Sequence, residues 1–322
     1  MLEFKLTCMK LIFMGTPDFA ALVLDRLSIS EHQIVAVYTR PDKPAGRHLQ
    51  SAASPVKELA LKRGLAVVQP ASLRQPEEIA RLAGFAPEIV LVAAYGLLLP
   101  PEVLRIPPLG CLNVHPSLLP RYRGAAPVAA AILAGDVVSG VSIMLLDEGM
   151  DTGPVLAQVE EPISSDDTTG SLTTRLAKKG AELLLETLVP WAEGRLKPSP
   201  QGEEGVSYAR LISKQDGQID WGRSAEDLGR QVRAFQPWPG GFTRCRGRLL
   251  KIVQALPLPA EPGVELGQVV TLRPPRVGVE VAVGTGQGLL GLVLVQPEGK
   301  KVMTAAEFVR GQRDFVGQRL LT

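Results

Sequence analysis

A chain of 322 residues, 45% hydrophobic and 21% charged, has the composition of a soluble globular protein with room for two domains. A net charge of +2 does not by itself mark a nucleic-acid binder, so only its distribution speaks to partners. Cys8, Cys111 and Cys245 lie far apart without paired spacing, which argues against a disulfide framework or zinc knuckle and for a reducing, cytoplasmic setting. No apolar run reaches the roughly 20 residues needed to cross a bilayer.

Met9-Lys-Leu-Ile-Phe-Met14 opens like a buried strand, and residues 1–8 are expected to be a short extension without a signal-peptide core. From residue 9 to about 195, short apolar runs alternate with helical patterns, which predicts a parallel α/β sheet. Strands are expected at 10–14, 34–39, 66–69, 89–93, 111–115, 141–146 and 155–158. Helices are expected at 18–27, 55–62, 76–82, 125–134 and 170–191. After the first strand, Gly15-Thr-Pro-Asp-Phe19 lacks the G-x-G-x-x-G spacing of a dinucleotide loop. It reads as a helix start capped by Thr16. The polar loop from Arg40 to Pro55 is too long for a plain strand–helix connection. Its Arg40, Lys43, Arg47 and His48 give it local positive charge suited to phosphates.

Gly194 to Gly205 is rich in proline and glycine without hydrophobic period. A linker is therefore expected over 196–212, between a catalytic domain of residues 1–195 and a smaller domain of 213–322. In the smaller domain a helix capped by Ser224 runs to about Phe235. Short strands at 241–246, 249–255, 267–271, 277–283 and 289–295 predict a small β-barrel. A last helix at 304–310 opens on a capping box of Thr304 and Glu307. Between Arg210 and Lys251, nine basic residues stand against four acidic ones, a basic face suited to structured RNA.

The most telling stretch is Asn113-Val-His-Pro-Ser-Leu-Leu-Pro120, with Glu148-Gly-Met-Asp-Thr-Gly153. Asn113 and His115 are two apart, so on a strand both side chains leave one face, and Pro116 stops the ladder after them. An amide donor beside an imidazole at a strand end is a place to stabilise a carbonyl-derived oxyanion. Each such donor is worth about 2.7–4 kcal/mol when deleted. Asp151, in a glycine-bracketed loop, is the carboxylate available to orient His115 and favour its cation, a charge-assisted donor. Arg121 and Arg123 flank Tyr122 and are expected to meet phosphate or a base. Hydrolase triads lack parts, since there is no G-x-S-x-G motif. With three histidines, and His32 and His48 in unrelated loops, no metal site is expected.

Those two segments resemble the folate-dependent formyltransferases. The resemblance continues through Phe13-Met-Gly-Thr-Pro-Asp-Phe19, Arg40-Pro-Asp-Lys-Pro-Ala-Gly-Arg47 and Ala234-Phe-Gln-Pro-Trp-Pro-Gly240, over nearly the full length. Within that family it points to members that act in translation initiation. It implies a Rossmann-like formyltransferase domain followed by an OB-like, tRNA-binding barrel. The reaction implied is transfer of formyl from 10-formyltetrahydrofolate, as cosubstrate, to the amine of initiator methionyl-tRNA, by a monomer without metal. Asn113, His115 and Asp151 then match the catalytic trio, and Ser117, Leu118, Leu119 and Pro120 line the folate pocket, with Ala93 to Gly96 as a further wall. The loop carrying Lys43 and Arg47 enters the tRNA acceptor arm, Arg47 matching a functional arginine. The family commonly has more lysine after that arginine, where His48-Leu49-Gln50 stands here, so the loop's electrostatic contribution is expected to be weaker. Arg244, Arg246 and Arg248 belong to the tRNA-facing surface. The readings left open are a relative that formylates an amino-sugar nucleotide or hydrolyses formyl-folate, and a non-catalytic RNA-binding protein.

Overall fold

A computed structural model describes residues 8–45 and 50–320 of the chain. These fall into two compact units. One holds the described residues up to Pro127 with Val138–Pro162 and Thr173–Ala209; the other holds Val128–Val137, Ile163–Leu172 and the chain from Arg210 onwards.

The strands before Arg210 are β1 (Lys10–Gly15), β2 (Gln33–Tyr38), β3 (Lys43–Ala45), β4 (Gln50–Ala52), β5 (Val67–Val68), β6 (Ile89–Ala93), β7 (Cys111–His115), β8 (Arg123–Gly124), β9 (Val138–Leu145), β10 (Val155–Pro162) and β11 (Tyr208–Ala209). Between them run α1 (Asp18–Leu27), α2 (Pro55–Lys62), α3 (Pro76–Gly84), α4 (Pro101–Leu104), α5 (Pro127–Ala134) and α6 (Thr169–Ala192). The main sheet has the order β10-β9-β7-β6-β1-β2-β5.

From β7 to β5 the strands are parallel, but β9 runs antiparallel to β7 and β10 antiparallel to β9. The parallel sheet that the alternation predicts is thus extended at one edge by two antiparallel strands. The connection 146–154 is too short for the crossover that parallel pairing requires, so β10 returns beside β9. Every residue of β6 and β7 is buried, as strands covered on both faces must be. The core around Ile12, Met14, Ala36, Tyr38 and Val90 is the apolar filling of the parallel part. On the side of β7 opposite Asn113 and His115, Gly180 of α6 meets Val114; a Cβ there would lie 2.9 Å from Val114 Cγ1. A small residue is therefore what lets the helix close on the sheet.

Three local expectations change. Thr16 does not cap α1; Pro17 holds the N-cap position without a side-chain bond, and Thr16 Oγ1 instead donates to the Tyr95 carbonyl at 2.9 Å. The loop after β2 contains the β3–β4 hairpin, with Lys43 opposite Ala52. Residues 199–209 of the expected linker carry backbone hydrogen bonds within the first unit. Ser199 exchanges two backbone hydrogen bonds with Val155, and β11 pairs parallel with β8.

The chain from Arg210 forms α7 (Ala225–Ala234), β12 (Gly241–Cys245), β13 (Arg248–Leu258), β14 (Val269–Arg276), β15 (Val279–Gly284), β16 (Leu289–Pro297), β17 (Met303–Thr304) and α8 (Ala305–Gly311). Its strands make one antiparallel sheet in the order β12-β13-β16-β15-β14, with β17 added to β16. Register shifts between Ile252 and Ala255 bend the long β13. Ser224 accepts from Asp227 N–H at the start of α7, and Thr304 and Glu307 close the capping box of α8, as their spacing predicts. Trp221, Leu228, Val232, Ile252, Val283 and Phe315 form the core beneath the sheet.

Candidate active site

Asn113 and His115 alternate with Leu112 and Val114 along β7, so the strand delivers both polar side chains to one face. Both are buried, with 8% and 4% of their surface exposed. The loop after β9 departs where Leu145 pairs with Leu112, and it brings Asp151 back to this face. Asn113 Nδ2 donates to Asp151 Oδ1 at 3.4 Å, and the Gly124 N–H donates to Asp151 Oδ2 at 2.8 Å. His115 Nδ1 stands 3.7 Å from Asp151 Oδ2. The three side chains foreseen in the sequence therefore converge.

The geometry of the imidazole differs from the expectation. His115 Nε2 lies 3.0 Å from the Tyr122 carbonyl oxygen. A carbonyl cannot donate, so Nε2 carries the hydrogen. The distance from Nδ1 to Asp151 is too long for a hydrogen bond. The Tyr122 carbonyl, not the carboxylate, sets the ring's orientation. Burial pushes the His115 pKa below its ordinary value, against the opposing pull of the Asp151 charge and the Tyr122 carbonyl. With Nε2–H given to the Tyr122 carbonyl, a neutral imidazole turns its Nδ1 lone pair towards the carboxylate, and burial opposes the cation that Asp151 favours.

Two of these residues have left-handed backbone although neither is glycine: Tyr122 at φ 58° and Asp151 at φ 52°. Asp147 Oδ1 braces the Asp151 loop by accepting from Gly149 N–H at 3.0 Å and Thr152 Oγ1 at 2.7 Å. Gly153 is required where it stands, since a Cβ would lie 1.9 Å from the Leu145 carbonyl oxygen. Gln201 Nε2 donates to the carbonyls of Asp151 and Gly153 at 2.9 and 2.7 Å, and its Oε1 accepts from Arg123. Arg123, expected to meet RNA or substrate, is 8% exposed and serves this internal contact. Arg121 remains exposed and lies 5.0 Å over the Tyr122 ring.

The Ser117–Pro120 turn is held by two residues that sequence reasoning missed. Ser142 Oγ donates to the Ser117 carbonyl at 2.6 Å and accepts from Leu119 N–H at 3.0 Å. Gln158 Nε2 donates to the Leu119 carbonyl at 2.9 Å. Leu118 packs against Gly140, where a Cβ would lie 2.5 Å from Leu118 Cδ2. The turn spends much of its backbone hydrogen-bonding capacity internally and presents a fixed apolar shape. Ser142 stands opposite His115 on the neighbouring strand β9, and Gln158 one strand further out on β10, so only the pairing of β7, β9 and β10 reveals them.

At the carboxyl ends of β1, β2 and β6 lies a cavity of about 400 Å³, bounded by Thr16, Arg40, Ala52, Ser54, Ala94 and Tyr95. Ligands of open α/β sheets gather at this edge. Asp42 anchors the base of the β3–β4 hairpin, bonding Lys57 Nζ at 2.5 Å and Gln69 Nε2 at 2.7 Å. Lys43 lies on β3, and Arg47 lies outside the described residues.

In the second unit, Arg244, Arg246 and Arg248 are exposed around the β12–β13 hairpin. Arg244 Nη1 donates to the Gly247 carbonyl at 3.0 Å, and Arg246 pairs with Asp314. Asp314 lies outside the stretch counted in the sequence, whereas two of the four acids within it are taken up by arginines of the same stretch. Arg210 binds Asp216 at 2.5 Å, and Arg230 binds Asp227 at 2.6 Å. Among the described residues, no three His, Cys, Asp or Glu side chains cluster so as to hold a metal ion, and no helix is long and apolar enough to cross a membrane.

Residues 9–188 match the formyl transferase family, and residues 211–313 match the formyl transferase C-terminal domain. The chain is 50% identical over 315 residues to the methionyl-tRNA formyltransferase of Thermus thermophilus, covering 97% of this chain and 99% of that protein. With the methionyl-tRNA formyltransferase of Marinobacter nauticus it shares 45% identity over 314 residues, covering 97% and 100%. Among solved structures, HypX from Aquifex aeolicus in complex with tetrahydrofolic acid is similar, with a TM-score of 0.64 at 19% identity. That match covers 94% of this chain and 47% of HypX, so the chain spans about half of that protein. WlaRD, a sugar 3N-formyl transferase, has a TM-score of 0.63 at 19% identity, covering 92% of this chain and 100% of WlaRD. At such identities the two structural matches show a shared fold alone.

Proposed function

The chain belongs to the methionyl-tRNA formyltransferase family, and we propose that Asn113, His115 and Asp151 are where its formyl transfer takes place. As a member of that family it is an enzyme that transfers a formyl group to methionyl-tRNA. The donor in this reading is 10-formyltetrahydrofolate, and the acceptor is the free amine of initiator methionyl-tRNA.

The convergence of Asn113, His115 and Asp151 within 3.7 Å carries this assignment. Attack of the amine nitrogen on the formyl carbon forms a C–N bond and places negative charge on the formyl oxygen. One amide hydrogen of Asn113 faces Asp151, and the other is left to donate to that oxygen. Neutral His115 offers the Nδ1 lone pair to the proton the amine must lose. Asp151 lies close enough to stabilise the imidazolium so formed. Collapse breaks the bond from the formyl carbon to the folate nitrogen, and the proton passes to that nitrogen.

In the same reading the catalytic domain comprises residues 1–195 and the tRNA-binding domain residues 213–322. Ser117, Leu118, Leu119 and Pro120 supply a shaped wall for the flat pterin. Lys43, Arg47, Arg244, Arg246 and Arg248 track RNA phosphates. The enzyme works in the cytoplasm as a monomer. Incubating it with 10-formyltetrahydrofolate and charged initiator tRNA should yield N-formylmethionyl-tRNA. Faster turnover of an amino-sugar nucleotide in place of the tRNA would overturn the assignment of acceptor.

A further inference from the structure

Tyr122 and Asp151 share an energetic problem: both are L residues held in left-handed backbone, which persists only where the surroundings over-determine it. One stretch of chain, residues 199–209, meets both. Ser207 Oγ accepts from the Tyr122 N–H at 2.9 Å, the Ser207 carbonyl accepts from Arg123 N–H at 2.9 Å, and the Ala209 carbonyl accepts from Ala125 N–H at 2.8 Å. Gln201 reaches the other loop through the carbonyls of Asp151 and Gly153.

We propose that this stretch is a strap that pre-organises the active site, and that Gln201 is the positioning residue for Asp151. The amide of Gln201 can face only one way. Its Oε1 accepts from Arg123 Nε at 3.0 Å and Nη2 at 2.7 Å, so its amino group must face the two carbonyls. Flipping it would set amino hydrogens against a guanidinium and an oxygen against two carbonyl oxygens. Arg123 belongs to β8, whose next residue, Gly124, donates its N–H to the Asp151 carboxylate. Gln201 and β8 thus grip Asp151 by its main chain and its side chain at once. Gly124 has φ 110°, and a Cβ there would lie 2.7 Å from the Ala209 carbonyl oxygen, so glycine is what allows the strap to close. The strap lies between the segments matching the two family domains, outside any catalytic motif.

The inference rests on Asp151 acting in the transfer, so Asp151→Asn is assayed beside the strap variants. Gln201→Glu keeps the acceptor for Arg123 and removes both donors. In the full-length enzyme it should lower kcat by on the order of 10²-fold, the effect of a misplaced catalytic group, with KM for 10-formyltetrahydrofolate within about twofold. Histidine-labelled protein supplies the second readout, since the chain has three histidines. Moving Asp151 away removes a group that raises the His115 pKa, so the His115 resonance should titrate lower in Gln201→Glu, as in Asp151→Asn. Gln201→Met, of similar volume and without donors, repeats both measurements if the glutamate disturbs folding. Wild-type kcat and His115 titration in a folded Gln201 variant, with Asp151→Asn inactive, would overturn the positioning role. An active Asp151→Asn would instead overturn the assignment of Asp151.

Discussion

The Tyr122 carbonyl oxygen lies 3.0 Å from His115 Nε2 and decides which nitrogen of the imidazole is free to act. Because that carbonyl takes the Nε2 hydrogen, the basic lone pair of His115 sits on Nδ1, on the side of Asp151. Tyr122 itself holds left-handed backbone at φ 58°, so the group that fixes the tautomer of His115 sits at a strained main-chain position.

Asn113→Ala should therefore cost the oxyanion donor without disturbing the imidazole. A loss of about 10²–10³ in kcat is expected, with KM for the formyl donor little changed. Steady-state formylation with charged tRNA measures both. A rise in KM with unchanged kcat would place Asn113 in ground-state binding instead.

The lowered pKa of His115 has a stability consequence. Below its ordinary value of 6.5 the unfolded chain takes up a proton that the buried imidazole refuses, so stability falls as pH drops through that value. His32 is lowered by burial as well and acts in the same direction. Denaturant melts from about pH 8 to about pH 5 should slope downwards towards acid. His115→Gln should flatten part of that slope. An unchanged slope would assign the effect to His32 and the rest of the chain.

Gly153→Ala should be damaging out of proportion to one methyl group. The new Cβ would meet the Leu145 carbonyl oxygen at 1.9 Å, and Leu145 is fixed as the last residue of β9, paired with Leu112 of β7. The loop must shift, taking Asp151 with it. A destabilisation of about 1–3 kcal/mol is expected, with formylation lost more steeply than stability.

Ser224→Ala tests the second unit separately. The serine oxygen accepts from Asp227 N–H at 3.1 Å, and losing that cap should cost about 1 kcal/mol. Denaturant unfolding would read it, while kcat at saturating tRNA should be unchanged.

Arg47→Ala should weaken the use of charged tRNA while leaving folate kinetics alone. Its dependence on salt should also be shallower, because one phosphate contact fewer releases fewer counterions. Initial rates across a salt series at limiting tRNA measure the slope. Identical slopes would remove Arg47 from the RNA-facing set.

Much of this molecule was legible in its residues alone. The spans of β6, β7, α1 and α2, the shared face of Asn113 and His115, and the caps at Ser224 and Thr304 all follow from neighbours a few positions apart. Alternation, helical period and capping are local physics, and local physics is written in order along the chain. The tertiary structure alone decided that Gln201 grips Asp151 across 50 positions and that Ser142 and Gln158 hold the Ser117–Pro120 turn. It also handed the orientation of His115 to the Tyr122 carbonyl and turned Arg123 inward onto Gln201. Such outcomes depend on which distant segments exclude water together, and no window of sequence contains that information.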